Sequence, residues 1–307
     1  MEYILETDSI VKTYRKNNAV DNVSIHVKQG AIYGLIGRNG AGKTTLLKII
    51  SDLAAPNSGS YKLFGKTKKE MKTISSRVGT LIETPGFYAN MTAEENLMIK
   101  CIALGQRDKN TAKELLELVG LSEVGKKKVG KFSLGMKQRL GIALALVGNP
   151  DIVILDEPIN GLDPNGIIEV RDIILRLNKE RGITFIISSH ILEELSKIAT
   201  NYGIIEKGKL IEEMTSEELM AKCDKRIEML TTDATKACTV LDELGINNYK
   251  ILNDGFINIY EQLERCGEIT IALGKRDIGT LKIGVQNKSL EEYFVELIGE
   301  NGGVKNA

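Results

Sequence analysis

Gly37-Arg38-Asn39-Gly40-Ala41-Gly42-Lys43-Thr44 fits the phosphate-loop pattern G-x-x-x-x-G-K-[ST] and is the most informative segment of the sequence for its fold. The apolar run Ala31 to Ile36 before it predicts a strand, and a helical stretch, Thr44 to Ser51, follows it. Glycines let successive backbone N–H groups converge on phosphate oxygens at a helix N-terminus. A glycine-rich turn that merely contains Lys-Thr is the alternative, and the strand and helix around the loop disfavour it. The pattern places Lys43 at the β- and γ-phosphates and the Thr44 hydroxyl on Mg²⁺.

A second motif supplies the carboxylates that such a site needs. The apolar run Ile152 to Leu155 ends in Asp156 and Glu157. Open α/β sheets bind ligands at the carboxyl ends of their strands, so Asp156 is predicted to hold Mg²⁺ and Glu157 to polarise the attacking water. By itself this run also fits a strand that simply meets a turn at Pro158. Together with the phosphate loop, it indicates a nucleotide-hydrolysing site.

Hydrophobic patterning predicts an α/β fold for residues 1–214. Alternating apolar and polar residues over the first thirty positions, including His26, predict an antiparallel lobe of half-buried strands. The apolar runs Ile152 to Leu155 and Ile183 to Ile187 flank a helix, Ile167 to Asn178, which is typical of a mostly parallel sheet. Capping-box spacing at Thr92 predicts a helix from Ala93, and a further helix is expected from Thr111 to Val119, so the middle of the chain forms a helical subdomain.

Residues 215–307 are predicted to form a small α+β accessory domain. Its start is placed at the capping-box spacing of Thr215-Ser216-Glu217-Glu218. We expect a helix over Thr235 to Leu244, strands over Phe256 to Tyr260 and Ile269 to Leu273, and a last helix capped by Ser289 and Glu292. The glycine- and asparagine-rich tail from Gly299 to Ala307 is predicted to be disordered.

Composition excludes several classes of protein. The 307 residues contain 41 Lys+Arg and 41 Asp+Glu, and a net charge of zero argues against a dedicated nucleic-acid binder. No stretch approaches the ~18 apolar residues of a membrane span, and the start has no basic signal region, so we expect a soluble intracellular protein that does not insert into the membrane. Four scattered cysteines and two histidines do not form a zinc or disulfide pattern.

Three further motifs complete a recognisable order. Phe132-Ser133-Leu134-Gly135-Met136-Lys137-Gln138-Arg139 opens an apolar helix, Asn160-Gly161-Leu162-Asp163 follows the acidic strand, and Ser188-Ser189-His190 ends the next strand. With the phosphate loop and the acidic strand, these resemble the C-motif, D-loop and switch histidine of the ATP-binding cassette family. The resemblance covers roughly residues 3 to 214, and five elements occur in family order.

The resemblance implies a role for each matching residue. Tyr14 matches the aromatic residue that stacks on adenine, with an exposed strand tyrosine as the alternative, and His190 would sense the γ-phosphate and orient Glu157. Ser133 and Gly135 would contact the ATP of a second subunit in a head-to-tail homodimer, and Asp163 would lie at that interface. The ATP-binding residues implied are Tyr14, Gly37, Arg38, Asn39, Gly40, Ala41, Gly42, Lys43, Thr44, Thr45, Ser133 and Gly135; Thr44, Glu83 and Asp156 would bind Mg²⁺.

The chain departs from the family pattern at two places. The usual Leu-Ser-Gly-Gly-Gln has Phe132 in place of its leucine, Leu134 in place of its first glycine and Met136 in place of its glutamine, while Ser133 and Gly135 are retained. Glu83 stands where the family normally has a glutamine that ligates Mg²⁺, and a carboxylate suits the same task. Glu83, the altered C-motif and the C-terminal Ser289-Leu290-Glu291-Glu292-Tyr293-Phe294 resemble the bacitracin-export and lantibiotic-immunity branch.

These features predict the ATPase subunit of a bacterial-type exporter, cytoplasmic and peripheral at the membrane, which energises separate permease subunits. The exported substrate would then be an antimicrobial peptide or drug. A soluble regulator that uses ATP-driven closure as a clamp is the alternative, although one phosphate loop and no heptads disfavour it. A catalytically silent ATP-binding module is disfavoured by the presence of Lys43, Asp156 and Glu157. The C-terminal domain carries no chemical motif, and dimer stabilisation, permease contact and a purely structural role remain open for it.

Overall fold

In the computed structural model of the protein, the stretch of alternating apolar and polar residues forms an antiparallel sheet, and the continuous apolar runs form a mostly parallel sheet. The structure describes residues 3–67, 70, 74–106, 108, 110–223, 225–252, 254–287 and 290–301. The chain divides into two compact units, Met1–Ser216 and Glu217–Ala307. None of the helices within the described residues is both long and apolar enough to span a bilayer.

The first unit contains eleven strands and six α-helices within the described residues. The strands are β1 (Tyr3–Tyr14), β2 (Asn17–Val23), β3 (His26–Lys28), β4 (Ile32–Ile36), β5 (Ser58–Leu63), β6 (Lys66–Thr67), β7 (Val78–Leu81), β8 (Ile152–Asp156), β9 (Thr184–Ser189), β10 (Asn201–Glu206) and β11 (Lys209–Thr215). The helices are α1 (Lys43–Ile50), α2 (Ala93–Ala103), α3 (Asn110–Leu118), α4 (Leu134–Leu146), α5 (Pro164–Arg181) and α6 (Leu192–Ser196). Short 3-10 turns lie at Ser75–Arg77, Ser122–Val124 and Val129–Lys131.

A mostly parallel sheet positions the site. In the described residues its order is β11-β10-β4-β9-β8-β7, with parallel pairing from β10 to β7 and antiparallel pairing between β11 and β10. Every residue of β4, β8 and β9 is buried, because the strands of parallel sheets are covered on both faces. The predicted parallel sheet is confirmed, and the carboxyl ends of these three strands lie side by side.

The predicted antiparallel lobe and helical subdomain are also present. The lobe has the order β2-β1-β5-β6, with β3 pairing with β1, so His26 is a strand residue as expected. Its apolar residues share a core with α1, in which Ile10, Val23 and Leu47 are fully buried. Helix α2 begins at Ala93, as predicted, since the Thr92 side chain accepts from the backbone N–H of Glu95 and the Glu95 carboxylate accepts from that of Thr92.

The second unit, with α7 at its start, is a small α+β structure. Its elements are α7 (Ser216–Ala221), β12 (Lys225–Thr231), α8 (Ala234–Glu243), β13 (Tyr249–Ile251), β14 (Phe256–Ile259), a 3-10 turn (Leu263–Arg265), α9 (Cys266–Gly274), β15 (Thr280–Asn287) and α10 (Leu290–Asn301). The strands form an antiparallel sheet in the order β13-β14-β12-β15. Ile227 and Ile257 of the sheet pack with Leu241 of α8 and Leu273 of α9 in one apolar core.

One predicted element of this unit is wrong. The stretch Ile269 to Leu273 was expected to be a strand and instead lies inside helix α9. Ile269 and Leu273 are fully buried, whereas Ile271 is 62% exposed. A run with apolar residues at alternate positions also has an apolar pair at positions i and i+4, which lie on one face of a helix. Here that pair is Ile269 and Leu273, which pack against the core, and the run is therefore helical.

The end of the chain was predicted only in part. Helix α10 covers Leu290–Asn301, so the predicted disordered tail begins too early, at a residue that is still helical. The predicted cap at Ser289 and residues 302–307 of the tail lie outside the described residues.

Candidate nucleotide site

The phosphate loop connects β4 to α1 with a backbone that only glycine accommodates at one position. Gly42 has a φ of +109°, and a Cβ there would lie 2.3 Å from the carbonyl oxygen of Ala19 in β2. Gly37 is similarly confined, since its Cβ would approach the Ile205 carbonyl oxygen to 2.3 Å. A side chain at either position would displace neighbouring backbone, so the loop is held as a narrow concave turn at the start of α1.

Lys43 is buried inside this turn. Its side chain is 5% exposed, and its Nζ donates to the carbonyl oxygens of Gly37 (2.6 Å) and Arg38 (3.2 Å). The same Nζ lies 3.1 Å from Glu157 Oε1. A buried ammonium group requires hydrogen-bond acceptors and a nearby negative charge. A cation held inside the phosphate loop in this way is suited to binding phosphate oxygens.

The rest of the loop is arranged around Lys43. Arg38, Asn39 and Gly40 are exposed, whereas Ala41 and Gly42 are buried. Thr44 and Thr45 in the first turn of α1 are half-buried. The predicted loop residues therefore form one continuous surface from solvent to the buried lysine.

Asp156 ends β8 and is held by two hydroxyl groups. Thr44 donates to its Oδ2 (2.8 Å) and Ser188 donates to its Oδ1 (2.6 Å). Ser188 Oγ also accepts from the backbone N–H of Glu157 at 2.9 Å. The structure thus brings Thr44 and Asp156 together, as predicted, and it adds Ser188, which sequence reasoning had only placed in a motif. The parallel register that sets Ser188 beside Asp156 is what creates this contact.

Glu157 lies between a lysine and a histidine. Its Oε2 is 2.8 Å from Nδ1 of His190, and its Oε1 contacts Lys43. Because an ionised carboxylate only accepts hydrogen bonds, Nδ1 of His190 carries the proton in this contact. Glu157 also has a φ of +49°, a sparsely populated conformation for a non-glycine residue. The bend directs a carboxylate away from the end of β8 and towards the next strand.

Glu83 follows β7, and its carboxylate is paired with a second lysine of α1. Lys48 Nζ lies 2.5 Å from Glu83 Oε1. The hydrogen bond to Glu83 raises the pKa of the Lys48 ammonium group, so this lysine is charged at neutral pH. Lys48 was not identified from the sequence, and no local signal in α1 points to it. Glu83, Asp156 and Glu157 line the same cavity of about 530 Å³.

Four predicted residues lie apart from this cluster. Tyr14 is 50% exposed at the end of β1, and Lys12 Nζ lies 5.2 Å from its ring centroid. Ser133 is exposed and caps α4, accepting from the backbone N–H of Met136 at 3.2 Å. Gly135 lies in the first turn of the same helix. Leu134, the departure from the family pattern, is 52% exposed and lines the cavity together with Glu157. Asp163 caps α5 through the backbone N–H of Gly166.

Comparison with known proteins agrees with this geometry. Residues 20–160 match the family model described as ABC transporter. The bacitracin transport ATP-binding protein BcrA of Bacillus licheniformis is 46% identical, over 97% of this chain and 98% of that protein. The lantibiotic transport ATP-binding protein SrtF of Streptococcus pyogenes is 42% identical, over 68% of this chain and 89% of that protein.

Solved structures show the same cassette. A nucleotide-free ATP-binding cassette from an ABC transporter superposes with a TM-score of 0.65 at 28% identity, over 71% of this chain and 93% of that chain. The ADP conformation of the cassette MJ1267 gives a TM-score of 0.64 at 29% identity, over 71% of this chain and 93% of that one. The phosphate loop, the acidic strand and full-length relatives together show that this chain belongs to the ABC transporter family, as an ATP-binding and ATP-hydrolysing subunit that energises a transporter.

Proposed function

We propose that the cluster around Lys43 hydrolyses Mg²⁺-bound ATP, with Glu157 acting on the attacking water. The observation that carries this proposal is the position of Glu157, 3.1 Å from the buried Lys43 ammonium and 2.8 Å from His190 Nδ1. Phosphoryl transfer needs little covalent help from the protein, so positioning and charge stabilisation account for most of the catalysis. Lys43 and the loop amides supply positive charge, and Glu157 supplies the acceptor for the water proton.

His190 acts as a positioning residue for Glu157. Its Nδ1 proton holds one carboxylate oxygen, and the other oxygen faces Lys43. A carboxylate fixed at both oxygens presents its lone pairs in one direction, which orients a water molecule for attack. The His190 side chain is 30% exposed, so it is accessible from solvent.

The donor set fits Mg²⁺. Thr44 and Asp156 present a hydroxyl and a carboxylate 2.8 Å apart, and hard oxygen ligands of this kind, few in number, are what Mg²⁺ takes from proteins at nucleotide sites. The ion would neutralise charge on the β- and γ-phosphate oxygens when bound. We propose Glu83 as a third, conditional ligand, because its carboxylate lines the same cavity but is held by Lys48.

The proposed working unit is a homodimer docked on permease subunits at the inner face of the membrane. Ser133 and Gly135 are the support for the dimer, since they lie at the N-terminus of a 13-residue helix whose dipole suits an anion. Because Ser133 is exposed, its hydroxyl is accessible to an ATP bound by a second copy. Tyr14, also exposed, has a ring face for adenine.

For the exported substrate we propose bacitracin or a lantibiotic-like peptide. The support is the 46% identity to BcrA, which extends through the second unit and not only through the cassette. The test is deletion of the gene in its own host followed by complementation. We expect severalfold greater sensitivity to bacitracin on deletion, restored by the wild type and not by Glu157→Gln. Unchanged sensitivity to both bacitracin and lantibiotics would contradict the substrate proposal, while leaving the ATPase assignment intact.

The pair between Lys48 and Glu83 predicts an unusual Mg²⁺ dependence. In Lys48→Met, Glu83 loses its counter-charge and is free to act as a ligand. The Mg²⁺ concentration that gives half of the Mg²⁺-dependent gain in ATP affinity should therefore fall by up to about fivefold, because an exposed ion pair is worth up to ~1 kcal/mol. The measurement is fluorescent ATP binding during Mg²⁺ titration. Glu83→Gln is the matched control. Because its amide has no charge to pair with Lys48, adding Lys48→Met to Glu83→Gln should leave the Mg²⁺ dependence of ATP binding unchanged. An unchanged or higher half-saturation in Lys48→Met would contradict the prediction.

A further inference from the structure

In the part of the chain that the structure describes, the sheet of the second unit ends in a long strand with one unpaired edge. Strand β15 is eight residues long, and within the described residues it pairs only with β12. The opposite edge strand, β13, has just three residues. Proteins usually protect sheet edges with short strands, charges or prolines. β13 is protected by its length, whereas β15 carries a single charged residue, Lys282.

Two adjacent positions of β15 face open space, one on each face of the sheet. A β-bulge at Leu281 interrupts the pairing, so the regular ladder with β12 covers Lys282 and the residues after it. Val285 is 46% exposed although it shares a face with Ile283, which packs against the apolar core. A Cβ built on Gly284 would meet no atom within 4 Å. Glycine inside a strand often marks a place where another backbone approaches closely.

We propose that β15 pairs with β15 of a second copy of this chain, antiparallel, with a twofold axis through Gly284. The two four-stranded sheets would then join into one eight-stranded sheet. This proposal concerns only the second unit and does not depend on nucleotide, substrate or permease.

The side-chain pattern favours this register, whereas the charge of Lys282 does not decide it, because its Nζ already lies 3.4 Å from Glu228 of β12. The twofold axis that relates two antiparallel strands of one sheet is perpendicular to that sheet. Residues that lie opposite each other across the axis therefore point to the same face of the sheet. With the axis at Gly284, Ile283 lies opposite Val285 twice, and paired β-branched residues stabilise a sheet. Lys282 then lies opposite Gln286. An axis at Lys282 would place the two lysines of the two copies opposite each other. An axis at Ile283 would require the bulged residue Leu281 to take part in the pairing.

The association should be weak and concentration-dependent. One strand pair buries far less than the roughly 1,600 Å² of a standard interface. Interfaces of standard size reach Kd values on the order of 1 µM at their weak end, so we expect a weaker Kd here, of roughly 10 µM. Two copies held side by side on one permease pair would associate more completely, because tethering raises their effective concentration.

The first test adds a charge to the edge strand. Sedimentation velocity without nucleotide should show a reversible dimer for the wild type. Gln286→Lys places a lysine opposite Lys282 and should weaken the dimer about tenfold, whereas Gln286→Glu should tighten it severalfold, since each change acts twice across the axis. Gln286 is exposed but lies opposite Arg226 of β12, so an unchanged thermal melt of each variant checks that the second unit folds. A monomeric wild type, or equal effects of Lys and Glu, would overturn the proposal.

The second test fixes the register. Gly284→Cys places two thiols opposite each other on the axis and should form an interchain disulfide under mild oxidation. Lys282→Cys or Gln286→Cys alone places the two thiols four residues apart, about 13 Å along the strands, which is beyond disulfide reach. The wild type reports any crosslinking through Cys223 and Cys266, which are only partly buried. No excess crosslinking of Gly284→Cys over these three controls would overturn the proposal.

The same variants would also reveal a different partner for this edge. If the chain is monomeric by sedimentation, and Gln286→Lys instead prevents its recovery with the permease, the edge binds the permease and self-pairing is wrong.

Discussion

Glu157→Gln should abolish ATP turnover, lowering kcat by at least about 100-fold, while ATP still binds. An amide keeps the size of the carboxylate and still accepts the proton of His190 Nδ1, which lies 2.8 Å away in the wild type. It is no longer a base for the water proton, and loss of a general base typically costs 10²–10⁴-fold. Steady-state phosphate release with Mg²⁺ and fluorescent ATP binding measure the two effects separately.

The same variant should accumulate as a nucleotide-dependent dimer. Without hydrolysis, two copies closed around ATP have no step that reopens them. Size analysis at submicromolar concentration, with and without ATP, detects this dimer under conditions where pairing of β15 is negligible. Turnover surviving in Glu157→Gln would show that the catalytic base is misassigned. ATP binding with neither turnover nor dimerisation would indicate that the permease is required, or that Leu134 and Met136 prevent closure.

Lys43→Met should weaken ATP binding by about 100-fold, the second-largest effect. Lys43 Nζ is buried in the phosphate loop, and charge-assisted hydrogen bonds of the kind it would make to phosphate contribute about 1.5–3 kcal/mol each. Methionine retains much of the aliphatic bulk, but the carbonyl oxygens of Gly37 and Arg38 lose their donor. A modest fall in Tm is therefore also expected. Isothermal titration with ATP measures the affinity.

Lys48→Met is the matched control for Lys43→Met. Both lysines lie on α1, but Lys48 Nζ pairs with Glu83 and not with the loop carbonyls. In the absence of Mg²⁺, the affinity of Lys48→Met for ATP should stay within about twofold of the wild type, since an exposed ion pair contributes little. Equal losses of affinity in the two variants would mean that general positive charge on α1, and not the position of Lys43, accounts for binding.

The interpretation of the cassette from sequence was accurate because its motifs are local. The phosphate loop, the capping box at Thr92 and the buried apolar strands each depend on residues close together in the chain, and the structure contains all three. The prediction failed at Ile269 to Leu273, where five residues fit both a strand and a helix. Such short runs are decided by the core they pack against, which no local pattern contains.

Local motifs were enough to identify the family, the parallel sheet and the candidate residues Lys43, Asp156 and Glu157. The groups that hold these residues are visible only in the folded chain. Ser188 contacts Asp156 because β8 and β9 pair in one register, and Lys48 contacts Glu83 because β7 ends beside α1. These partners are more than thirty residues apart along the chain, and their meeting depends on strand register and helix packing, which the folded chain alone establishes.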